Sequence, residues 1–412
     1  MRVGLQCHLS DANLNLAQPS NQRQLAISIS AIAEQVGRNA PLNLCLILDH
    51  SGSMGGKPLQ TVKQAANRIV DGLMPHDRIT IVVFDHKAKV LVANQLVEEP
   101  IVIKNKIDQL KASGGTCIDG GLKLGIEEAA VGRQNAISQV FLLTDGENEH
   151  GDNERCLKLA QLAADYNLTL STLGFGDHWN QDILEQIADA GNGSLSYIQE
   201  PEDAMDVFNR LFSRVQAVGL TNAYLKLELM PEARLAELKP IAQVAPETIE
   251  LPITTETSPL SIRLGDLMVD DPRVILANLY ISQLPLGSHP IAAVQVQYDD
   301  PARGQTGLTS ERILVEANVQ STYQPIPNDR VQQHVLALAK YRQTQIAETK
   351  LKQGDRQGAA TLLQTAAQTA LQMGDENAAT VLQENATRLQ TGEDLSERDR
   401  KRTRIVSKTT LQ

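Results

Sequence analysis

Asp49-His50-Ser51-Gly52-Ser53-Met54 sets a carboxylate and two hydroxyls at alternate positions of a short segment. On an extended backbone, alternate side chains share one face, so the oxygens of Asp49, Ser51 and Ser53 can meet at one point. Gly52, Gly55 and Gly56 let the chain turn tightly around that point. Two later segments have the same character, Gly114-Gly115-Thr116 and Thr144-Asp145-Gly146. Carboxylates and hydroxyls without thiols or imidazoles suit a hard divalent cation. Mg²⁺, the first choice with Ca²⁺ or Mn²⁺ as alternatives, takes oxygens in near-octahedral geometry and keeps some of its waters. A site with only two carboxylates therefore leaves a position that an Asp or Glu from a protein partner can fill.

Such residues are useful only where a scaffold brings them together, and the surrounding pattern supplies one. Leu44-Cys45-Leu46-Ile47-Leu48 is a continuous apolar run ending at Asp49, as expected for a strand covered on both faces. Pro58 then opens a helix on which Val62, Ala65, Ala66, Ile69 and Val70 recur at helical spacing. The alternation continues through the strands 79–84, 140–143, 168–173 and 194–198 and the helices between them. It predicts an α/β fold with a doubly wound, mainly parallel sheet, whose ligand site lies beyond the carboxyl ends of the strands. All three oxygen-bearing loops fall on that rim.

At this point the chain resembles a known family. Asp49-x-Ser51-x-Ser53, then Thr116, then Asp145, each at the end of an element of such a sheet, is similar to the metal-ion-dependent adhesion site of von Willebrand factor type A domains, over roughly residues 40 to 217. The resemblance implies that Ser51, Ser53 and Thr116 contact the metal and that Asp49 and Asp145 bind it directly or through water. The phrases around Asp49 and Asp145 look like the intracellular and bacterial branch of the family. Each residue has a plainer role open to it, Ser51 and Ser53 as helix caps and Asp145 as a turn former. Five of them in order on one rim favour the metal.

Other motifs carry less. In Gly174-Phe175-Gly176-Asp177-His178-Trp179, Trp179 stands where a dinucleotide loop needs its third glycine, which leaves a surface loop with Trp179 as lid or core residue. Gly56-Lys57-Pro58 lacks the hydroxyl that follows the lysine of a phosphate loop, and the segment 51–55 lacks the glycines of a nucleophile elbow. His50 is adjacent to Ser51 and so points away from it, which argues against a base–nucleophile pair. The acidic loop of Asp145, Glu147, Glu149 and Asp152 with His150 fits no calcium-loop spacing. A divalent-metal hydrolase or phosphotransferase is the alternative function, and it lacks a positioned base or nucleophile.

The rest of the chain frames this unit. A formal net charge of -11 disfavours nucleic acid and anionic membranes as partners. No apolar run approaches the roughly 20 residues of a spanning helix, and the N-terminus leads into no secretory segment, so a cytoplasmic protein without membrane insertion is expected. The four cysteines are widely spaced, as reduced thiols would be. Residues 1–40 alternate with the period of a half-buried sheet, and the same pattern returns over 219–325. The expected organisation is therefore a β-sandwich interrupted by the α/β domain at 41–218. Residues 326–392 read as three helices, either a plain bundle or a partial tetratricopeptide-type hairpin, with Gly354-Asp355 and Gly374-Asp375 as stop–start pairs. Residues 393–412, rich in Arg and Lys, read as a solvated disordered tail in which Thr403, Ser407, Thr409 and Thr410 are phosphorylation candidates. The combined expectation is a non-enzymatic, metal-dependent protein-binding module serving an intracellular complex, with its oligomeric state left open.

Overall fold

The computed structural model describes residues 1–33, 40–251 and 259–409; Thr410 lies outside them. The chain opens with β1 (Arg2–Leu9), β2 (Asn13–Asn15) and β3 (Ser20–Ile32), and all of β1 pairs antiparallel with the second half of β3, from Leu25 to Ile32.

The α/β unit follows in one continuous stretch. It contains β4 (Leu42–Asp49), α1 (Lys57–Gly72), β5 (Arg78–Phe84), β6 (Ala88–Leu96), α2 (Pro100–Asp108), α3 (Ile118–Val131), β7 (Ile137–Thr144), α4 (Asn153–Asp165), β8 (Thr169–Phe175), α5 (Gln181–Ala190), β9 (Asn192–Ile198) and α6 (Ala204–Gln216). The strand order is β6-β5-β4-β7-β8-β9, parallel throughout except for β6, which pairs antiparallel with β5. Every residue of β4 and of β7 is buried, because helices cover both faces of the sheet. One apolar core lies between the sheet and α1, α2 and α6, and a second lies against α3, α4 and α5. Gly121 and Gly125 allow α3 to press onto the sheet, since a Cβ on Gly125 would come within 2.4 Å of the Ile47 side chain.

The chain then returns to β structure in β10 (Val218–Leu229), β11 (Ala233–Leu235), β12 (Ile241–Ala245), β13 (Ile249–Glu250), β14 (Leu260–Met268), β15 (Arg273–Ser282), β16 (Gly287–Asp300), β17 (Gln305–Thr309) and β18 (Ile313–Gln320). These complete two sheets begun by the N-terminal strands. One has the order β1-β3-β15-β12-β13 with β11 on β15, and the other β14-β10-β16-β18-β2 with β17 on β16. The α/β unit is thus an insertion between β3 and β10. It stands on the sandwich by the amino ends of its strands: Gln139 at the start of β7 and Thr169 at the start of β8 both donate to Asp266 Oδ2, at 2.6 and 2.7 Å. The carboxyl rim of the sheet lies at the end away from the sandwich.

Helices α7 (Asp329–Lys352), α8 (Arg356–Gln372), α9 (Glu376–Gln390) and α10 (Glu397–Lys408) finish the chain. Gly354 and Gly374 take positive φ of 82° and 79°, and Asp355 and Asp375 cap the helices that follow, by accepting from Gly358 and Ala378. The basic segment corrects the expectation of a disordered tail. Residues 397–408 form α10, opened by a reciprocal cap between Ser396 and Asp399, and Lys401, Ser407 and Lys408 are buried. A basic segment folds here because acidic side chains of the α/β unit and of α7 face it. Among the described residues, no helix is long and apolar enough to cross a membrane.

Candidate metal site

The five oxygen-bearing residues arrive on three loops at the carboxyl rim, and backbone hydrogen bonds tie these loops together. Gly52 N donates to Gly114 O at 2.9 Å and Ser113 N to His50 O at 2.8 Å, which joins the β4–α1 loop to the α2–α3 loop. His150 N donates to Thr116 O at 3.0 Å, and Asn148 Oδ1 accepts from Ile118 N at 2.8 Å. These two bonds fasten the β7–α4 loop to the start of α3. Gly114, at φ 71°, is glycine for two reasons: the angle is strained for other residues, and a Cβ there would come within 2.5 Å of His86.

Asp49 closes β4 and is fully buried. Its Oδ1 accepts from Ser51 N at 2.8 Å and its Oδ2 from Thr144 Oγ1 at 2.6 Å. The hydroxyls of Ser51 and Ser53 lie 3.0 Å apart, and Ser53 Oγ donates to Asp145 Oδ1 at 2.7 Å. Thr116 is buried, and its hydroxyl lies against Gly146, where a Cβ would come within 3.3 Å of it. Four of the five residues therefore form one hydrogen-bonded cluster, and the fifth packs beside it.

Burial pushes the Asp49 carboxyl up to about 6, against the pull of its hydrogen bonds from Thr144 and Ser51, and the charge of Asp145 adds to the rise. Burial also raises Asp145, partly offset by Ser53 and by the charge of nearby His178. Two carboxylates near one another, one of them fully buried, with hydroxyls turned toward them, form a donor set that a hard divalent cation fits. Asp49, Ser51, Ser53, Thr116 and Asp145 would hold it.

Thr144 lies in a segment the sequence picks out, but its role as donor to Asp49 is not signalled there, nor is the role of Asn148. The only hint of the Thr144 role is a hydroxyl at the last position of an otherwise apolar buried strand. Asn148 sits in a loop whose acidic neighbours dominate the reading. Of the weaker candidates, His50 Nδ1 turns to Lys111 O at 3.0 Å, so it is engaged with backbone rather than with Ser51. Asp152 serves as the cap of α4. Trp179 is a core residue, 2% exposed, stacked on Gly174 with its Nε1 donating to Gly176 O at 2.6 Å. Among the described residues, no group of three or more His, Cys, Asp or Glu is placed to hold a metal, at this rim or elsewhere, so the candidate site rests on two carboxylates and three hydroxyls.

Residues 43–210 match the von Willebrand factor type A domain, and residues 329–412 match the Sll0103-like, C-terminal alpha-helical domain. The chain is 60% identical over 412 residues to the protein sll0103 of Synechocystis, covering all of this chain and 98% of that one. It is 28% identical over 220 residues to YfbK of Escherichia coli, covering 52% of this chain but only 38% of that protein. Among solved structures, a von Willebrand factor type A protein from Catenulispora acidiphila superposes with a TM-score of 0.81 at 18% identity, over 99% of this chain and 97% of the other, a likeness of fold. The chain belongs to the same family as sll0103, von Willebrand factor type A domain proteins with a C-terminal helical domain.

Proposed function

We propose that the protein is a metal-dependent protein-binding module, in which Asp49, Ser51, Ser53, Thr116 and Asp145 hold a divalent cation, Mg²⁺ first, at the rim. The observation that carries this reading is Asp49, a fully buried carboxylate on which a second carboxylate, Asp145, acts. A cation bound there offsets the negative charge of both carboxylates, and it offers an open position to an Asp or Glu of a partner. Ser51 and Thr144 orient Asp49, and Ser53 orients Asp145, so the donor set is arranged before anything binds. The engagement of His50 with Lys111 favours binding over hydrolysis. The four free thiols agree with a cytoplasmic setting, where the module would serve assembly or control of a protein complex.

Asp49→Ala is expected to abolish Mg²⁺ or Mn²⁺ binding in isothermal titration and partner crosslinking in cells, while the far-ultraviolet circular dichroism stays unchanged. Crosslinking that is equally strong in EDTA and in Mg²⁺ would refute the reading.

A further inference from the structure

The side chains of Arg398, Lys401, Arg404 and Lys408 recur at intervals of three and four along α10, which puts them in one stripe. On α5, Asp182, Glu185 and Asp189 form an acidic stripe of the same spacing. The two stripes meet. Arg404 pairs with Asp182 and Glu185, and Lys408 pairs with Glu185 and, at 3.1 Å, with Asp189. Arg398 reaches Glu200 at 3.9 Å. Within α10 the only large apolar residues are Ile405 and Val406, both partly exposed, so charge carries most of the contact. Lys401, Lys408 and Glu185 are each buried, and such charges are tolerated only while paired.

The same helix grips the loop 176–180 between β8 and α5. Lys401 Nζ donates to Asp177 O and lies 4.2 Å from the centroid of the Trp179 ring. Trp179 also packs on Gly174, where a Cβ would meet the indole at 2.2 Å. Gly174 of β8 pairs with Thr144 at the end of β7, so the loop that follows β8, with exposed His178 at its centre, lies next to the β7–α4 loop that carries Asp145. Loop 176–180 is thus a wall of the rim beside Asp145, clamped between the α/β sheet and α10.

We propose that α10 is an electrostatic latch that fixes this wall, so that the helical domain sets the conformation of the rim. The latch stands on the contacts above, whereas its consequence for cation affinity rests on the metal reading. An acidic segment that competes for Arg404 and Lys408 would release the wall. Because Asp182, Asp189 and Glu200 are partly exposed, added salt should weaken their pairs with α10 while leaving the apolar cores intact, and the buried Glu185 pairs are screened less.

Hydrogen exchange of the full chain in EDTA tests the latch. In Arg404→Ala/Lys408→Ala, and in Lys401→Met, amides of 176–180 and of α10 are expected to exchange about tenfold faster, while those of 113–116 keep the wild-type rate. The emission of Trp179, the chain's only tryptophan, should shift to the red as its ring is uncovered. Wild-type protein taken from about 0.05 M to about 1 M salt should change in the same direction, which keeps the test valid if a variant fails to fold. If α10 exchanges quickly while 176–180 stays protected, or if α10 resists both substitution and salt, the latch is overturned. Titration with Mg²⁺ alone gives the second reading. Wild type binding more tightly than the double variant supports coupling to the rim, and equal affinities overturn it. Absence of binding in both would sink the metal reading, and the exchange data would still decide the latch.

Discussion

Asp49→Asn should stabilise the metal-free protein while destroying the site. In the folded chain Asp49 is fully buried, and its carboxyl is raised from an ordinary 3.8 to about 6. Keeping it ionised above that range costs the folded state about 3 kcal/mol relative to the unfolded chain. An asparagine carries no charge and can still accept from Ser51 N. What it loses is the acceptor for the Thr144 hydroxyl, which costs about 1 kcal/mol. A net gain of about 2 kcal/mol remains, equivalent to about 4 to 8 °C in the midpoint of a domain of this size. The sign of the pH dependence follows from the raised value. The penalty is absent below about pH 4, where the acid is neutral in both states, grows as pH rises toward 6, and is constant above it. The assay is differential scanning calorimetry in EDTA at pH 7.5 and pH 4, repeated at pH 7.5 with Mg²⁺. The variant should melt higher than wild type at pH 7.5 in EDTA, the gap should close at pH 4, and Mg²⁺ should raise the wild type only. A variant that melts at or below wild type at pH 7.5 in EDTA would refute the claim that Asp49 holds a desolvated charge in wait for a cation.

Two further outcomes are expected. Lys340, fully buried, donates to Asp375 Oδ2 at 2.8 Å and to the carbonyls of Val406 and Thr409 at the end of α10. Lys340→Met strands the Asp375 carboxylate and should destabilise the helical domain by about 3 to 5 kcal/mol in urea unfolding, and a loss below about 1 kcal/mol would show that the pair contributes little. Burial raises the thiols of Cys7 and Cys156 to about 12 and that of Cys45 further, and Cys117 is raised as well. All four should therefore react slowly with Ellman's reagent at pH 8 in the folded protein and promptly in guanidinium, and a fast native thiol would contradict that burial.

The five oxygen donors are legible in the sequence because each sits at the end of an element whose period is visible locally, such as the apolar run 44–48 before Asp49. Their supports are not. Thr144 acts on Asp49 from 95 residues away, and Asn148 acts on Ile118 from a different loop, so each role exists only once the sheet is assembled. The return of period-2 patterning after residue 219 signals a sandwich, but the pairing of β3 with β15 and the parallel pairing of β2 with β18 leave no local trace. The segment 397–408 misleads for the same reason. Read alone, its arginines and lysines suit solvent, and the acidic stripe that orders them lies more than 200 positions earlier, on α5.

The insertion between β3 and β10 also imposes an order of events during synthesis. Ile27 pairs with Ile275, a separation of 248 residues, so β3 leaves the ribosome long before its partner exists. At about 5 to 20 residues per second, that delay is on the order of 12 to 50 seconds. The α/β unit, contiguous in the chain, can close within that interval, while the β1–β3 hairpin waits with one edge unpaired. The sandwich then closes only after the α/β unit, with the C-terminal helices still to follow, and its early strands are where a nascent chain is most exposed to misassociation.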